Sequence, residues 1–255
     1  MTHIPRIYLP DVTVDENRSL NPALAHHLGR VLRLRDGAAI TIFDGKGHEF
    51  EAHLLNTEHG TGVRIGTLAR TEVAPRLAIE LWVAISRRTR MEWTLEKAVE
   101  LGVSAIRPVI SERSKVRLND KQGARKLEHW QAIVTAATAQ SGRAWLPTLS
   151  PPQPLDALWE RVPCETRLFL SPDADDALAS LSPAQGHLAL LVGPESGFSE
   201  HECLQARDTG WQPVRLGPRI LRAETAGPAA LAAIQVLWGD WRQDSSVVHT
   251  EHAEK

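Results

Sequence analysis

The residues whose types and spacing could do chemistry lie in two glycine-punctuated segments in the last quarter of the chain. The first is residues 191–199 (LVGPESGFS), and the second is residues 216–226 (LGPRILRAETA). Each follows a short apolar run and precedes a helix-like stretch, which is how an α/β protein offers main-chain groups to a ligand at the carboxyl edge of a sheet. Glu195, Arg222 and Glu224 add groups that could accept a proton, orient a substrate or stabilise negative charge.

Other chemistries that use glycine-rich turns do not fit these segments. A hydrolase elbow needs Gly-x-Ser-x-Gly, but Ser196 is one place late and Pro194 fixes φ where the elbow needs freedom. The phosphate-binding lysine and the Gly-x-Gly-x-x-Gly fingerprint are missing from the sequence. No histidine pairs with Cys or His at structural-zinc spacing, so we expect no metal. Ordinary turn chemistry would explain the glycines and leave the charged residues unexplained.

Length and composition indicate a globular protein without a membrane segment. The chain has 255 residues, of which 42% are apolar and 24% are charged, and its formal net charge is −2. No apolar stretch approaches the roughly 18 residues of a membrane span, and the first residues lack the apolar core of a signal peptide. The two cysteines, Cys164 and Cys203, are typical of reduced thiols. We therefore expect a cytoplasmic protein with no membrane partner.

The pattern of elements divides the chain into two units and a tail. Residues 1–73 contain short strands and tight turns, which favour a small β-barrel with one short helix over residues 22–29. Residues 74–242 alternate strand and helix patterns, which predicts a mostly parallel sheet covered on both faces. Here Ser199 to Glu202 form a capping box that opens a helix, and the proline-rich residues 147–154 are predicted to be a loop. Residues 243–255 are polar and aperiodic, so we expect a disordered tail.

Three basic clusters occur in this mildly acidic chain. Any one of them could be solvated surface, whereas three together indicate a localised anion-binding face. One cluster lies around residues 31–35, where apolar and basic side chains alternate. Another cluster, the third along the chain, lies between residues 107 and 126. The first two clusters are Arg30, Arg33 and Arg35, and Arg87, Arg88 and Arg90.

The two glycine-punctuated segments resemble those of the SPOUT superfamily of RNA methyltransferases. More narrowly, they resemble the RsmE family, which methylates N3 of a uridine in small-subunit (16S) ribosomal RNA. Residues 216–226 match the family pattern Leu-Gly-x-Arg-Ile-Leu-Arg-x-Glu-Thr-Ala with full spacing. The first segment departs from Gly-Pro-Glu-Gly-Gly at Ser196, where a left-handed backbone would add about 1 kcal/mol of strain. Similar segments at residues 27–47, 91–102, 111–114 and 139–143 extend the resemblance over nearly the whole chain.

The resemblance implies a fold, a cofactor and partners. The fold is a SPOUT-type α/β knot, in which the end of the chain threads through a deep trefoil knot, with a small amino-terminal PUA-like β-barrel that helps to hold RNA. The cofactor is S-adenosylmethionine, bound in the knot. The protein would be a homodimer with its active site near the subunit interface. The substrate would be small-subunit ribosomal RNA or the 30S subunit.

Roles for particular residues follow from the same resemblance. Arg222 would stabilise negative charge on a uracil carbonyl oxygen, and Glu224 or Glu195 would accept the proton or orient the base. Glu224 could equally be a carboxylate that only stabilises the start of a helix. The cofactor would contact Leu170, Ser171, Pro172, Gly193, Pro194, Glu195, Gly197, Leu216, Gly217, Ile220, Leu221, Thr225 and Ala226, with Gly193 and Gly217 allowing close approach. RNA would bind to Arg30, Arg33, Arg35, Arg87, Arg88, Arg113, Lys115 and Arg117.

Two alternatives remain open at this point. One is another SPOUT reaction, such as ribose 2′-O methylation or methylation of a different base. The other is a non-catalytic RNA-binding or ribosome-assembly protein that has kept the shape of a methyltransferase. The departure at Ser196 is the feature that best supports the second alternative.

Overall fold

The strands in the described part of the chain form two sheets. The computed structural model describes residues 4–57, 60–114, 116, 118–159 and 164–241. The first sheet uses residues 6–71 and the second uses residues 77–214. The tail predicted for residues 243–255 lies outside the described residues.

The amino-terminal sheet is mixed and packs around its own core. Its strands are β1 Arg6–Tyr8, β2 Asn17–Ser19, β3 Ala39–Phe43, β4 His48–Thr57 and β5 Gly60–Thr71. They follow the order β1-β3-β4-β5-β2, with β1 parallel to β3 and the other neighbours antiparallel. The alternating apolar residues Ile40 and Ile42 of β3, and Ala52 and Leu54 of β4, lie in the core.

The segment before β3 differs from its sequence pattern. The helix predicted over residues 22–29 is α1, Pro22–His26, and a π-helical turn over His27–Val31 continues it. The alternating residues 31–35 are therefore not a strand, and Arg33 has a left-handed φ of 55°. Alternation misleads here because Val31 and Leu32 are exposed and do not mark a buried face.

The second sheet has seven strands, and every neighbouring pair is parallel. They are β6 Leu77–Ala84, β7 Ala105–Ile110, β8 Thr148–Leu149, β9 Gln153–Pro154, β10 Thr166–Leu170, β11 Gly186–Val192 and β12 Gln212–Val214. The order is β12-β10-β11-β6-β7-β8, with β9 also paired to β7. Strand β11 is inserted between β10 and β6, although it follows both in the chain. Because the strands run in one direction, their carboxyl ends meet at one edge.

Helices and apolar side chains cover both faces of this sheet, as the sequence predicts. The helices are α2 Arg88–Glu100, α3 Asp120–Gln140, α4 Glu200–Asp208 and α5 Ala223–Leu237. Along β6, Ile79 and Leu81 belong to the apolar cluster that includes residues of α2, α3 and α5, whereas Trp82 belongs to the cluster on the opposite face. That second cluster includes Ala206 of α4 and Trp211, whose ring meets Trp82 edge-on at 5.2 Å between centroids.

Two local predictions in this unit have different outcomes. The capping box of α4 is confirmed, because Ser199 Oγ accepts a hydrogen bond from the Glu202 main-chain N–H at 3.0 Å and Glu202 accepts one from the Ser199 N–H at 2.8 Å. The loop predicted over residues 147–154 is wrong in part, since this stretch contributes β8 and β9. Both are two-residue strands at the edge of the sheet, where a proline without an N–H is tolerated.

Arg143 joins the second unit to the amino-terminal sheet. Its guanidinium donates hydrogen bonds to the main-chain oxygens of Val99 and Val103, at 2.8 and 2.9 Å, where α2 ends. Its own main-chain oxygen accepts a hydrogen bond from Arg6 of β1 at 2.9 Å. Burial lowers the pKa of the Arg143 guanidinium. The partly buried side chain of Arg143 and its backbone therefore contribute to the link between the two units.

The two cysteines are free thiols, as the sequence predicts. Burial, and to a smaller extent the nearby Glu80 carboxylate, raises the pKa of Cys164 to about 11. Burial also raises the pKa of Cys203. A thiol with a raised pKa is a poor nucleophile, so neither cysteine is an activated one. Separately, no helix in the described part of the chain is long and apolar enough to cross a membrane.

We expect Arg143→Ala to lower the free energy of unfolding by about 2–4 kcal/mol, because it removes two charge-assisted hydrogen bonds to the carbonyls at the end of α2. Arg125→Ala, at an exposed position on α3, is the matched control and should change it by less than about 0.5 kcal/mol. Urea unfolding followed by tryptophan fluorescence measures both variants. Equal stability of the two variants would contradict the role of Arg143.

Candidate functional site

A cavity of about 740 Å³ opens at the carboxyl edge of the parallel sheet. The loops that follow β10, β11 and β12 line it, and Arg90 of α2 and Arg113 of the loop after β7 complete its wall. This is the edge where open α/β sheets bind ligands, and the volume lies within the range of roughly 300–1,000 Å³ for small-molecule sites.

The structure brings together nearly all of the residues that the sequence assigns to a cofactor site. Thr225, in the first turn of α5, is the one assigned residue that does not line the cavity. Ile220 lies at the cavity but is 84% exposed. The assigned residues that line it are Leu170, Ser171, Pro172, Gly193, Pro194, Glu195, Gly197, Leu216, Gly217, Ile220, Leu221 and Ala226.

The glycines of the two segments have different structural roles. Gly217 has a φ of 132°, and a Cβ there would meet no atom within 4 Å, so its main chain is open to a ligand. A Cβ on Gly193 would lie 3.0 Å from the Phe198 ring, so Gly193 gives room to that ring. The left-handed residue of the first segment is Gly197, with a φ of 70°, and Ser196 is outside that region. The strain considered for Ser196 is therefore absent.

Ser196 instead ties the first glycine segment to the loop after β7. Its Oγ donates a hydrogen bond to the main-chain oxygen of Arg113 at 3.0 Å. In return, Arg113 Nη1 donates one to the main-chain oxygen of Ser196 at 3.3 Å. Glycine at this position would make only the second bond, so the serine adds a contact that holds Arg113 at the cavity wall.

The buried carboxylate of Glu202, which does not line the cavity, holds the same two loops together. Oε1 accepts a hydrogen bond from the Glu112 main-chain N–H at 2.9 Å, and Oε2 accepts one from Ser111 Oγ at 3.1 Å as well as the bond from Ser199 described above. Glu202 is only 4% exposed, and these donors compensate the cost of burying its charge. The capping residue of α4 is therefore also a support for the cavity wall.

Three of the charged side chains at the cavity, Arg90, Glu195 and Glu224, form one connected group. Arg90 Nη1 pairs with Glu195 Oε1, and Arg90 Nε lies 3.4 Å from Glu224 Oε1. The other oxygen, Glu224 Oε2, is buried without a hydrogen-bond partner. Arg222 is exposed at the N-cap of α5, and its guanidinium contacts no carboxylate among the described residues. An unpaired guanidinium and an unpaired carboxylate oxygen at one cavity are groups that a polar substrate could satisfy.

The residues assigned to RNA binding occupy three places. Arg30, Arg33 and Arg35 are exposed around the π-helical turn of the amino-terminal unit. Arg87 and Arg88 are exposed at the start of α2, where Arg88 pairs with Glu92 at 2.8 Å. Arg113 is exposed at the cavity. Lys115 and Arg117 lie outside the described residues.

The sequence prediction missed two residues that shape the site. In the sequence analysis, Arg90 belongs only to a basic cluster, and Glu202 belongs only to the capping box of α4. The first turn of a helix that follows a central strand lies at the carboxyl edge of the sheet, and this position could have indicated Arg90. No local signal indicates that Glu202 also binds the loop after β7.

Comparison with known proteins defines the class of this protein. A family model described as an RNA methyltransferase domain matches residues 73–235, and another described as an RNA methyltransferase PUA domain matches residues 20–61. The first match covers more than half of the chain. The chain therefore belongs to the RNA methyltransferases, and its amino-terminal unit is the PUA part.

Within that class, the chain belongs to the family of ribosomal RNA small subunit methyltransferase E. The protein of that name from Synechocystis sp. is 35% identical over 239 residues, which cover 91% of this chain and 77% of the relative. The one from Buchnera aphidicola is 32% identical over 241 residues, which cover 93% and 98%. A crystal structure of the Neisseria gonorrhoeae protein of that name bound to S-adenosyl methionine has a TM-score of 0.86 at 42% identity, covering 94% of this chain and 100% of that one. The resemblance to the RsmE family and the SPOUT-type fold with a PUA-like unit are confirmed.

We expect Ser196→Gly to leave the free energy of unfolding within about 1 kcal/mol of wild type, because it removes one exposed hydrogen bond and relieves no strain. The effect should be local, with faster amide hydrogen exchange in residues 111–114 and 193–199. Ser196→Ala removes the same hydroxyl without adding backbone freedom and is the control. A stabilisation of about 1 kcal/mol by Ser196→Gly would show that the serine is strained after all.

Proposed function

We propose that this protein methylates N3 of a uridine in small-subunit (16S) ribosomal RNA, with S-adenosylmethionine as the methyl donor. The observation that carries the proposal is the cavity at the carboxyl edge, where three loops meet an Arg222 guanidinium without a carboxylate partner among the described residues and an unpaired Glu224 oxygen. The names of the relatives support ribosomal RNA as substrate, and the cofactor in the Neisseria gonorrhoeae structure supports the donor.

The residues at the cavity fit S-adenosylmethionine. Main-chain groups of residues 170–172, 193–197 and 216–221 would hold its polar parts, and Phe169, Phe198 and Leu216 give the cavity apolar walls. The open main chain at Gly217 would allow close contact. When bound, the cofactor supplies a methyl group on a positively charged sulfur, which needs no further activation. Within the ranges that the structure describes, no group of acidic, His and Cys residues could hold a metal ion.

The chemistry of the acceptor nitrogen determines what the protein side chains must do. Uracil N3 carries a weakly acidic proton and is a poor nucleophile until that proton is lost. As N3 loses its proton, negative charge spreads onto the neighbouring carbonyl oxygens. We assign Arg222 to these oxygens, since its guanidinium has no competing carboxylate among the described residues. Glu224 or Glu195 would take the proton or orient the base, and both line the cavity.

The rest of the protein would bring RNA to this cavity. We assign residues 1–73 to RNA holding and residues 74–242 to methyl transfer. The exposed Arg30, Arg33, Arg35, Arg87, Arg88 and Arg113 would neutralise phosphates. Lys115 and Arg117 are assigned to the same surface from the sequence alone. The link through Arg143 supports a fixed geometry between the two units.

We also infer a knotted carboxyl-terminal region, a homodimer and a cytoplasmic location. The insertion of β11 between β10 and β6, and the packing of α5 in one cluster with α2, are compatible with a threaded chain end. Dimerisation and location follow from the family resemblance and the proposed ribosomal substrate. The non-catalytic alternative loses its main support, since Ser196 is unstrained and the cavity is formed.

We expect the purified protein to transfer one methyl group per small-subunit ribosomal RNA, supplied both as free RNA and as the 30S subunit and measured with radiolabelled S-adenosylmethionine. Nuclease digestion and mass spectrometry should place the group on N3 of a single uridine. Ribosomal RNA from a strain that lacks the protein should miss that methyluridine. Label on a ribose 2′-oxygen or on another base would contradict the N3 assignment, and no label at all would favour a binding protein.

We expect Arg222→Ala to reduce turnover by about 10² or more, because it removes the group that stabilises charge on the uracil oxygen. Calorimetry should show unchanged binding of S-adenosylmethionine. Arg207→Ala, at an exposed position on α4, is the matched control for the loss of one positive charge. Normal turnover in Arg222→Ala would remove Arg222 from the mechanism.

A further inference from the structure

Arg90 connects two carboxylates that come from different loops of the cavity. Its Nη1 pairs with Oε1 of Glu195, which follows β11, and its Nε lies 3.4 Å from Oε1 of Glu224, which begins α5. The backbone of Arg90 is itself fixed, because its carbonyl accepts a hydrogen bond from the buried Thr94 hydroxyl at 2.9 Å. One guanidinium on a rigid helix therefore sets the distance between the two carboxylates.

The two carboxylates held by Arg90 are not equivalent. The Glu195 side chain is 31% exposed, whereas that of Glu224 is 18% exposed. Glu224 Oε2 is buried and has no hydrogen-bond partner, so this oxygen lacks the donor that a buried acceptor requires. A ligand in the cavity that Glu224 lines can supply that donor.

We propose that Arg90 is a positioning residue that holds Glu224 so that its Oε2 accepts the imide proton of the substrate base, while Glu195 only helps to fix Arg90. This inference rests on the proposed function and decides between the two carboxylates that the sequence left open. Without the guanidinium, two negative charges would share one cavity and repel each other. Arg90 removes that repulsion through Oε1 of each carboxylate and leaves Oε2 of Glu224 unengaged.

The proton balance of this step is simple. The N3–H bond of the uracil breaks, and the proton forms a bond with Glu224 Oε2. The electron pair stays on N3 and spreads onto the neighbouring carbonyl oxygens, where Arg222 offers its guanidinium. Arg90 keeps its own protons and stays bound to both carboxylates through Oε1.

The test compares Glu224→Gln with the matched variant Glu195→Gln in single-turnover methyl transfer. Each is measured with RNA that carries uridine at the target and with RNA that carries 5-fluorouridine, whose fluorine makes the N3–H more acidic. We expect Glu224→Gln to slow transfer to uridine by about 10² or more, and fluorouridine to restore most of that loss. Glu195→Gln should lose less than about 10-fold, with a much smaller benefit from fluorouridine than Glu224→Gln shows.

Variants of Arg90 test its positioning role directly. Arg90→Gln should show the pattern of Glu224→Gln at smaller magnitude, with partial recovery on fluorouridine RNA. Arg90→Lys keeps the charge and should restore part of the rate with uridine. A loss that is the same for both RNAs would mean that Arg90 supports the fold and not the proton acceptor, and this would overturn the inference.

Binding without the cofactor gives a readout that does not depend on catalysis. We expect wild type to bind uridine RNA at least about 10-fold more tightly than N3-methyluridine RNA, because only uridine offers a proton to the charged Glu224 Oε2. Glu224→Gln should lower this ratio of the two affinities, and Glu195→Gln should leave it unchanged. The same ratio in all three proteins would overturn the inference.

The outcomes separate this inference from the proposed function. Thermal unfolding and calorimetry with S-adenosylmethionine first establish that each variant is folded and binds the donor. If wild type methylates N3 but the two glutamine variants lose activity equally without rescue, only the assignment of Arg90 and Glu224 fails. If fluorouridine rescues Glu195→Gln instead, Glu195 is the acceptor. If wild type does not methylate N3, both proposals fall.

Discussion

Parallel strand pairing at the centre of the second sheet is the constraint on which the candidate site depends. β11 pairs with β6 over seven residues, from Gly186 opposite Leu77 to Val192 opposite Val83, and it pairs with β10 on its other side. Parallel pairing fixes both direction and register, so the chain leaves β10, β11 and β12 at the same edge. A slip of one residue would move the side chains of each face to the opposite face, where they no longer match the packed helices. The cavity is therefore a consequence of the register of the sheet.

Hydrogen bonds between loops hold the cavity wall at the edge of the sheet. The loops after β7 and β11 have no ladder of their own, so their backbone groups need other partners. Glu202 accepts hydrogen bonds from both loops, and the reciprocal pair of Ser196 and Arg113 adds a second connection. Such contacts fix the cavity wall before a ligand arrives, which lowers the cost of ordering it on binding. Arg143 also connects distant segments, because its side chain binds the end of α2 and its main-chain oxygen accepts a hydrogen bond from Arg6.

Among the described residues, some charged groups at the cavity are paired with each other, and others are left without a partner. A single guanidinium from α2 satisfies carboxylates from two other elements, and a second guanidinium at the start of α5 is left without a carboxylate partner among the described residues. A site with every charge paired internally would have little to offer a polar substrate. In the reaction that we propose, the unpaired Arg222 guanidinium and one oxygen of Glu224 would contact the carbonyl and imide edge of a uracil.

The sequence by itself determined the elements and the identity of most lining residues. The capping box at Ser199 and the glycine segment at residues 216–226 are local patterns, and the structure has them as predicted. The proline content of residues 147–154 predicted a loop, whereas the structure has two short strands there. These two-residue edge strands form because they pair with β7, which is distant in the chain.

Only the tertiary structure decided which charged groups meet. Arg90 and Glu195 are 105 residues apart, and Ser111 and Glu202 are 91 apart, so no local repeat in the sequence links either pair. Their contacts arise because parallel strands bring distant chain segments to one edge, and the hydrogen-bond geometry there selects particular atoms. Residue types and spacing determine which groups are available. The register of the sheet and the burial of each oxygen determine which of them are paired and which are left for a ligand.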